Sequence, residues 1–274
     1  EEVDKTYLKA NHLKTGGLLL KPENLQGGVR SLGPVWNSVY VNIYRPRSKG
    51  DPDPADTQTI IDLANLISFA DDAEFRRRLE SLLDVDEFLR FIAMHTLLAN
   101  LDSYLTTGHN YYLYVNPTSR RVLFLPWDLN LSIGSFVWAG QPSEQIRLSI
   151  HKPYLMPNRL IERVLAVDAW KQRYRGYLRL YADTVFAPEK IQSQTALLAG
   201  LVEQSRAKWT ELGQKPHPAP GLGMWRWGPI PDPADFIPAR MKSVRAQLDD
   251  AETGYEPFFQ LRTILFGPQT RPAR

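Results

Sequence analysis

The chain has 274 residues, 43% hydrophobic and 23% charged, a globular balance in a chain long enough to bury roughly three quarters of its unfolded surface. The absence of Cys excludes disulfides and thiolate metal centres but leaves the compartment open. Thirty-three basic against thirty acidic residues give a net charge of +3, too weak a field to argue for nucleic acid, and no run approaches the ~20 apolar residues of a membrane span.

The chain opens Glu1-Glu2-Val3-Asp4 without a Met. It reads as a chain entered in mid-fold, so the mature protein is expected to be longer. A short helix is expected from Asp4 to His12, broken by Gly16-Gly17, and Leu18-Leu19-Leu20 reads as a short buried strand. Ser38 to Tyr44 alternates apolar and polar residues, the strand period. Pro46 to Asp56 has loop composition. Asp53 before Pro54 opens a helix whose face carries Ile60, Leu63 and Ile67. Asp71 with Glu74, and Asp84 with Glu87, have capping-box spacing. The second of these opens a helix from Val85 to about Leu101, with Phe88, Phe91, Ile92, Leu98 and Leu101 as its apolar stripe.

Tyr111–Val115 and Val122–Leu125 are joined by turn chemistry in "NPTSRR", which predicts a β-hairpin. Pro126 stops its second strand, and Asp128 follows on a loop that Gly134 helps to turn. Two helices are expected between Pro157 and Phe186, broken near Val167-Asp168. A long one follows from Pro188 to Leu212, containing Leu197, Leu198, Leu201 and Val202. Another runs from Asp235 to Ala251, with Pro238 in its first turn, where proline is tolerated. Residues 213–233, rich in Pro, Gly and Trp, are too long for an ordinary connection.

Residues 102–134 carry the chemistry. Antiparallel pairing sets the start of one strand beside the end of the next. Asn110 and Asp128 are therefore expected to be neighbours, with Asp102 one short loop away. Two carboxylates and an amide suit a hard divalent cation, which takes oxygen ligands and keeps room for phosphate. A base Asp, an Asn ligand, a hairpin and a metal Asp are the parts used for phosphoryl transfer by protein kinases. Neither HRD nor DFG is present.

"GHNYYLY" followed by "FLPWDLNLSIG" resembles the CotH kinase family, the spore coat protein H-like proteins, in which an HxNYYLY-like strand precedes a PWDxDxxFG-like element. "EEVDKTYLKAN…GGLLLKPEN" is similar to that family's opening segment. The resemblance covers about residues 1 to 134. It implies an α+β, mainly helical protein-kinase-like large lobe, a single domain over 1–274, with a short β-hairpin carrying the active-site residues. Residues 1–50 would connect to a small nucleotide-binding lobe upstream. It also implies an atypical, secreted-type kinase that uses Mg²⁺ (or Mn²⁺) and ATP to phosphorylate Ser or Thr of a secreted, cell-surface or spore-coat protein. By that resemblance Asp102 is the catalytic Asp, Asn110 and Asp128 hold metal, and Glu1, Glu2 and Val3 hold adenine through their backbone. One departure bears on activity: the family has a second Asp where this chain has Asn130. That departure, with the missing upstream lobe, keeps a pseudokinase or surface-binding role in play.

Simpler readings stand beside these. Asp102 and Asn110, taken singly, are ordinary turn residues. His109 reads as a loop-orienting residue and Trp127 as a packing anchor. His95 is expected to be buried and satisfied, and Arg76-Arg77-Arg78 a solvated helix face. Lys21, the one nearby strand lysine, is not expected to be an ATP lysine. Asn130-Leu131-Ser132 is a glycosylation sequon by pattern only. "GLGMWRWG", from Gly221 to Gly228, follows no strand and opens no helix, so it is not a phosphate loop.

Overall fold

Aspartates start most of the long helices, because a carboxylate accepts from backbone N–H groups that the first turn leaves unpaired. In the computed structural model, which describes residues 3–22, 44–47, 52–106, 108, 110–155, 157–213 and 231–257, Asp4 caps α1 (Lys5–Ala10) through Thr6 N and Tyr7 N. Asp53 caps α2 (Pro54–Phe69), Asp71 caps α3 (Asp72–Leu82) and Asp84 caps α4 (Val85–Leu97). The capping oxygens of Asp71 and Asp84 sit on the N–H of Glu74 and Glu87, as the spacing predicts. Farther on come α5 (Arg159–Leu165), α6 (Asp168–Thr184), α7 (Pro188–Glu211) and α8 (Pro233–Leu248).

Four strands form one antiparallel sheet in the order β2-β1-β3-β4, with β1 at Leu19–Pro22, β2 at Tyr44–Pro46, β3 at Tyr111–Val115 and β4 at Val122–Pro126. The hairpin register runs from Tyr111 opposite Pro126 to Val115 opposite Val122. Asn116 Oδ1 accepts from Thr118 N and Ser119 N in the turn. Arg120, left-handed at φ 56°, reaches Asp53 and the buried Asp56 at the start of α2. The hairpin is thereby tied to the helical body.

Both faces of the sheet are covered, which is why these strands read as nearly unbroken apolar runs. Leu18, Leu20, Tyr111, Leu113, Val115, Val122 and Phe124 face the large helical core. Leu19, Tyr112, Tyr114, Leu123 and Leu125 face a smaller cluster with Val3 and Leu8. The alternation is the strand period of two. At the centre of the larger core, Phe88, Tyr104 and Tyr111 of α4, its following loop and β3 surround Phe124, with ring centroids 4.9, 4.9 and 5.4 Å from it.

Three expectations change, those for the end of α4, the start of α8 and the pairing of His95. The helix α4 stops at Leu97 rather than near Leu101. Ala99 is left-handed at φ 48°, with its N–H on Thr96 O and that of Asn100 on His95 O. This is a Schellman ending with alanine where glycine is usual. The helix α8 begins at Pro233 under Asp232, so Pro238 lies inside it and removes one intrahelical donor. In α7, Leu197, Leu198, Leu201 and Val202 are exposed. His95 is buried as expected, but among the described residues its Nε2 has no partner. Most of the strand expected over 38–44, and residues 214–230 with Trp225 and Trp227, lie outside the described residues. Arg76, Arg77 and Arg78 are exposed, as expected.

Candidate active site

The end of α4 holds both loops that carry the candidate carboxylates. Beyond the Schellman ending, Ser103 laces the first loop: its Oγ donates to Asn100 O and accepts from Leu105 N, and its carbonyl accepts from Thr106 N and Gly108 N. Asn158, the cap of α5, donates to Tyr104 O. The second loop, after Asp128, returns to the same helix end, where Ile133 N–H meets Leu98 O at 2.7 Å. Gly134 then turns the chain at φ +81°, and a Cβ there would stand 2.7 Å from the Phe236 ring.

Asp102 and Asn110 are in direct contact. Asn110 Nδ2 donates to Asp102 O at 2.8 Å and to Asp102 Oδ2 at 3.1 Å. The amide therefore uses its nitrogen on Asp102 and keeps its oxygen, the atom a hard cation takes, on the other side. Across the hairpin, Trp127 N–H donates to Asn110 O at 3.3 Å, and Asp128 is the next residue. Asp102 and Asn110 are half-buried and Asp128 is exposed. Asn110 thus touches Asp102 directly and is bonded through its carbonyl to the residue before Asp128, while the cleft onto which Asp128 opens is lined by neither Asp102 nor Asn110.

Asn110 and Asp128 are both left-handed, at φ 59° and 47°, and β-branched Ile133 is left-handed at 53°. For L-residues this region is strained, Asn and Asp tolerating it best. Such strain survives only where the surroundings over-determine it, and it concentrates at functional sites.

Asp128 opens onto a cleft of about 520 Å³ lined also by Val3, Tyr7, Pro126, Trp127 and Leu129. Val3, expected near the nucleotide from its place in the opening segment, is on this wall; Glu1, Glu2 and His109 lie outside the described residues. Trp127 stands edge-on to Tyr112, ring centroids 5.5 Å apart, so it is a packing anchor and a cleft wall together. Lys21 Nζ lies 5.4 Å from the Trp127 ring centroid and 5.9 Å from that of Tyr112, a cation held against aromatic faces. Tyr7 and Leu129 were not legible as site residues.

Among the described residues no group of three or more His, Asp or Glu side chains stands together as a ready metal cage. Two carboxylates and one amide are a donor set of another kind, suited to Mg²⁺ that keeps water and phosphate in its shell. Asn130, exposed two residues after Asp128, has an amide where a third carboxylate would add charge.

A family model described as CotH kinase protein matches residues 1–258. No curated protein matches the chain.

Proposed function

The chain belongs to the CotH kinase family, and from that membership we propose that it is an atypical protein kinase transferring the γ-phosphate of ATP to a Ser or Thr hydroxyl of a coat or cell-surface protein. The helical body with its sheet is read as a kinase-like large lobe forming one domain, and residues 1–50 as its connector to a small lobe. The observation that carries the reading is the contact of Asn110 Nδ2 with Asp102 Oδ2 at 3.1 Å, one hairpin rung from Asp128.

In this reading Asp102 accepts the proton of the attacking hydroxyl. The hydroxyl oxygen bonds to the γ-phosphorus, the bond from that phosphorus to the bridging oxygen breaks, and ADP leaves. Asn110 fixes the carboxylate of Asp102 by donating a hydrogen bond to its Oδ2. Asp128 and the amide oxygen of Asn110 would hold Mg²⁺, which supplies charge neutralisation for the triphosphate. Val3, Tyr7 and Trp127 form the apolar and aromatic part of the cleft and suit a purine base. Little covalent chemistry is asked of the protein; positioning and electrostatics do the work.

The test is incorporation of labelled γ-phosphate into protein by the full-length protein and by Asp102→Ala and Asp128→Ala. Loss in both, with melting temperatures kept, is expected; activity retained in both would remove the assignment. Asn130 favours a second reading, a CotH-like surface or coat protein that keeps the fold without turnover. That reading predicts no rise in melting temperature with Mg²⁺-ATP, whereas a nucleotide bound only by the native state must raise it.

A further inference from the structure

Behind the wall that carries Asp128 lies a second cavity, of about 310 Å³. One face of α4 forms its floor with Phe91, Met94, His95 and Leu98, and Phe124 of β4 closes one side. Pro126 and Leu129 line this cavity and the Asp128 cleft alike, so the two are separated by a single stretch of chain. At the mouth, Arg90 Nε sits 3.0 Å from Asp86 Oδ2 and 3.7 Å from Glu87 Oε1. These charges satisfy one another and do not select a charged ligand.

The polar feature of the floor is His95. It is 1% exposed, its Nδ1 is 3.1 Å from Asn100 Nδ2, and its Nε2 has no partner among the described residues. Burial also keeps the ring neutral, pushing its pKa down to about 3. A buried nitrogen left unpaired in an apolar wall is the kind of group that a ligand or an ordered water satisfies. A hydroxyl both donates and accepts, so it can meet Nε2 in either imidazole tautomer. The volume suits one substituted aromatic ring, since an apolar cavity of about half this size holds benzene.

We propose that this cavity is a second ligand site, for an uncharged aromatic alcohol such as a small phenol, held by His95 Nε2 against the back of the wall that bears Asp128. The site does not depend on the kinase reading, and its test uses no nucleotide. Titration calorimetry of the full chain with 4-ethylphenol is expected to give saturable one-to-one binding, with 4-ethylphenol about fivefold tighter than ethylbenzene for the one hydrogen bond. Met94→Trp, which fills the cavity without touching the Asp128 cleft, should abolish binding while the melting temperature is kept. Glu87→Trp at the exposed mouth, which lines this cavity and not the Asp128 cleft, takes its place if that variant does not fold. No saturable heat from 4-ethylphenol, equal affinity for the hydrocarbon, or unchanged binding in the filled variant would overturn the proposal.

Discussion

His95 makes the stability of this protein depend on acid in a calculable way. Its pKa is lowered from 6.5 to about 3 by burial. Between those values the unfolded chain binds a proton that the native state refuses, so stability must fall as pH falls. Above pH 6.5 the contribution is complete. At pH 4.5 the loss is about 3 kcal/mol, from the ratio of the two binding polynomials at about 1.4 kcal/mol per unit. Because pH 4.5 lies above the folded value, that loss is set almost wholly by the unfolded pKa. His95→Leu removes the titrating group. It leaves Asn100 Nδ2 without its acceptor, a constant cost of about 1–3 kcal/mol at every pH. Denaturant unfolding of both proteins at pH 7.5 and 4.5 gives a double difference in which other groups, such as His151 with its own lowered pKa, cancel. Wild type should lose about 3 kcal/mol more than the variant between the two conditions. Parallel losses would mean that His95 is protonated in the native state, and the burial argument would fail.

Other perturbations follow from the same contacts. Asn110→Ala and Asn110→Gly both remove the hold on Asp102, but only alanine pays for the left-handed backbone at φ 59°, so it should unfold at lower denaturant by about 1 kcal/mol. Gly134→Ala meets the Phe236 ring at 2.7 Å in a left-handed conformation, and a loss of about 2 kcal/mol or more in thermal unfolding is expected. Arg240 is fully buried and donates to the carbonyls of Ile146, Leu148 and Thr96. Arg240→Met leaves those oxygens unpaired and should cost about 3 kcal/mol even after relief of the buried charge. Arg240→Lys should fail nearly as badly in the same denaturation assay, because one ammonium cannot replace a fork that spans two elements.

Much of the frame was legible because its causes are local. Asp53, Asp71 and Asp84 announce helices through carboxylates that reach N–H groups two or three residues on. The hairpin follows from apolar runs either side of Asn116-Pro117, and antiparallel geometry alone makes Asn110 and Asp128 neighbours. The end of α4 was not legible: alanine is the best helix former, and nothing near Ala99 signals that it turns left-handed. Its conformation is held by Asn100 and by Ile133, which returns from thirty-five residues beyond Leu98 to bond its carbonyl. Likewise Pro238 looked like a first-turn proline, until the cap at Asp232 moved the start of α8 upstream.

The sequence by itself determined the chemistry available, two carboxylates and an amide at hairpin spacing, because covalent order and strand pairing constrain near neighbours strongly. Only the tertiary structure decided what surrounds them. Val3 and Tyr7 meet Trp127 and Asp128 across more than a hundred residues, and His95 is buried with its Nε2 unpartnered among the described residues. Such placements depend on how whole elements bury their apolar faces, and no short stretch of chain encodes that.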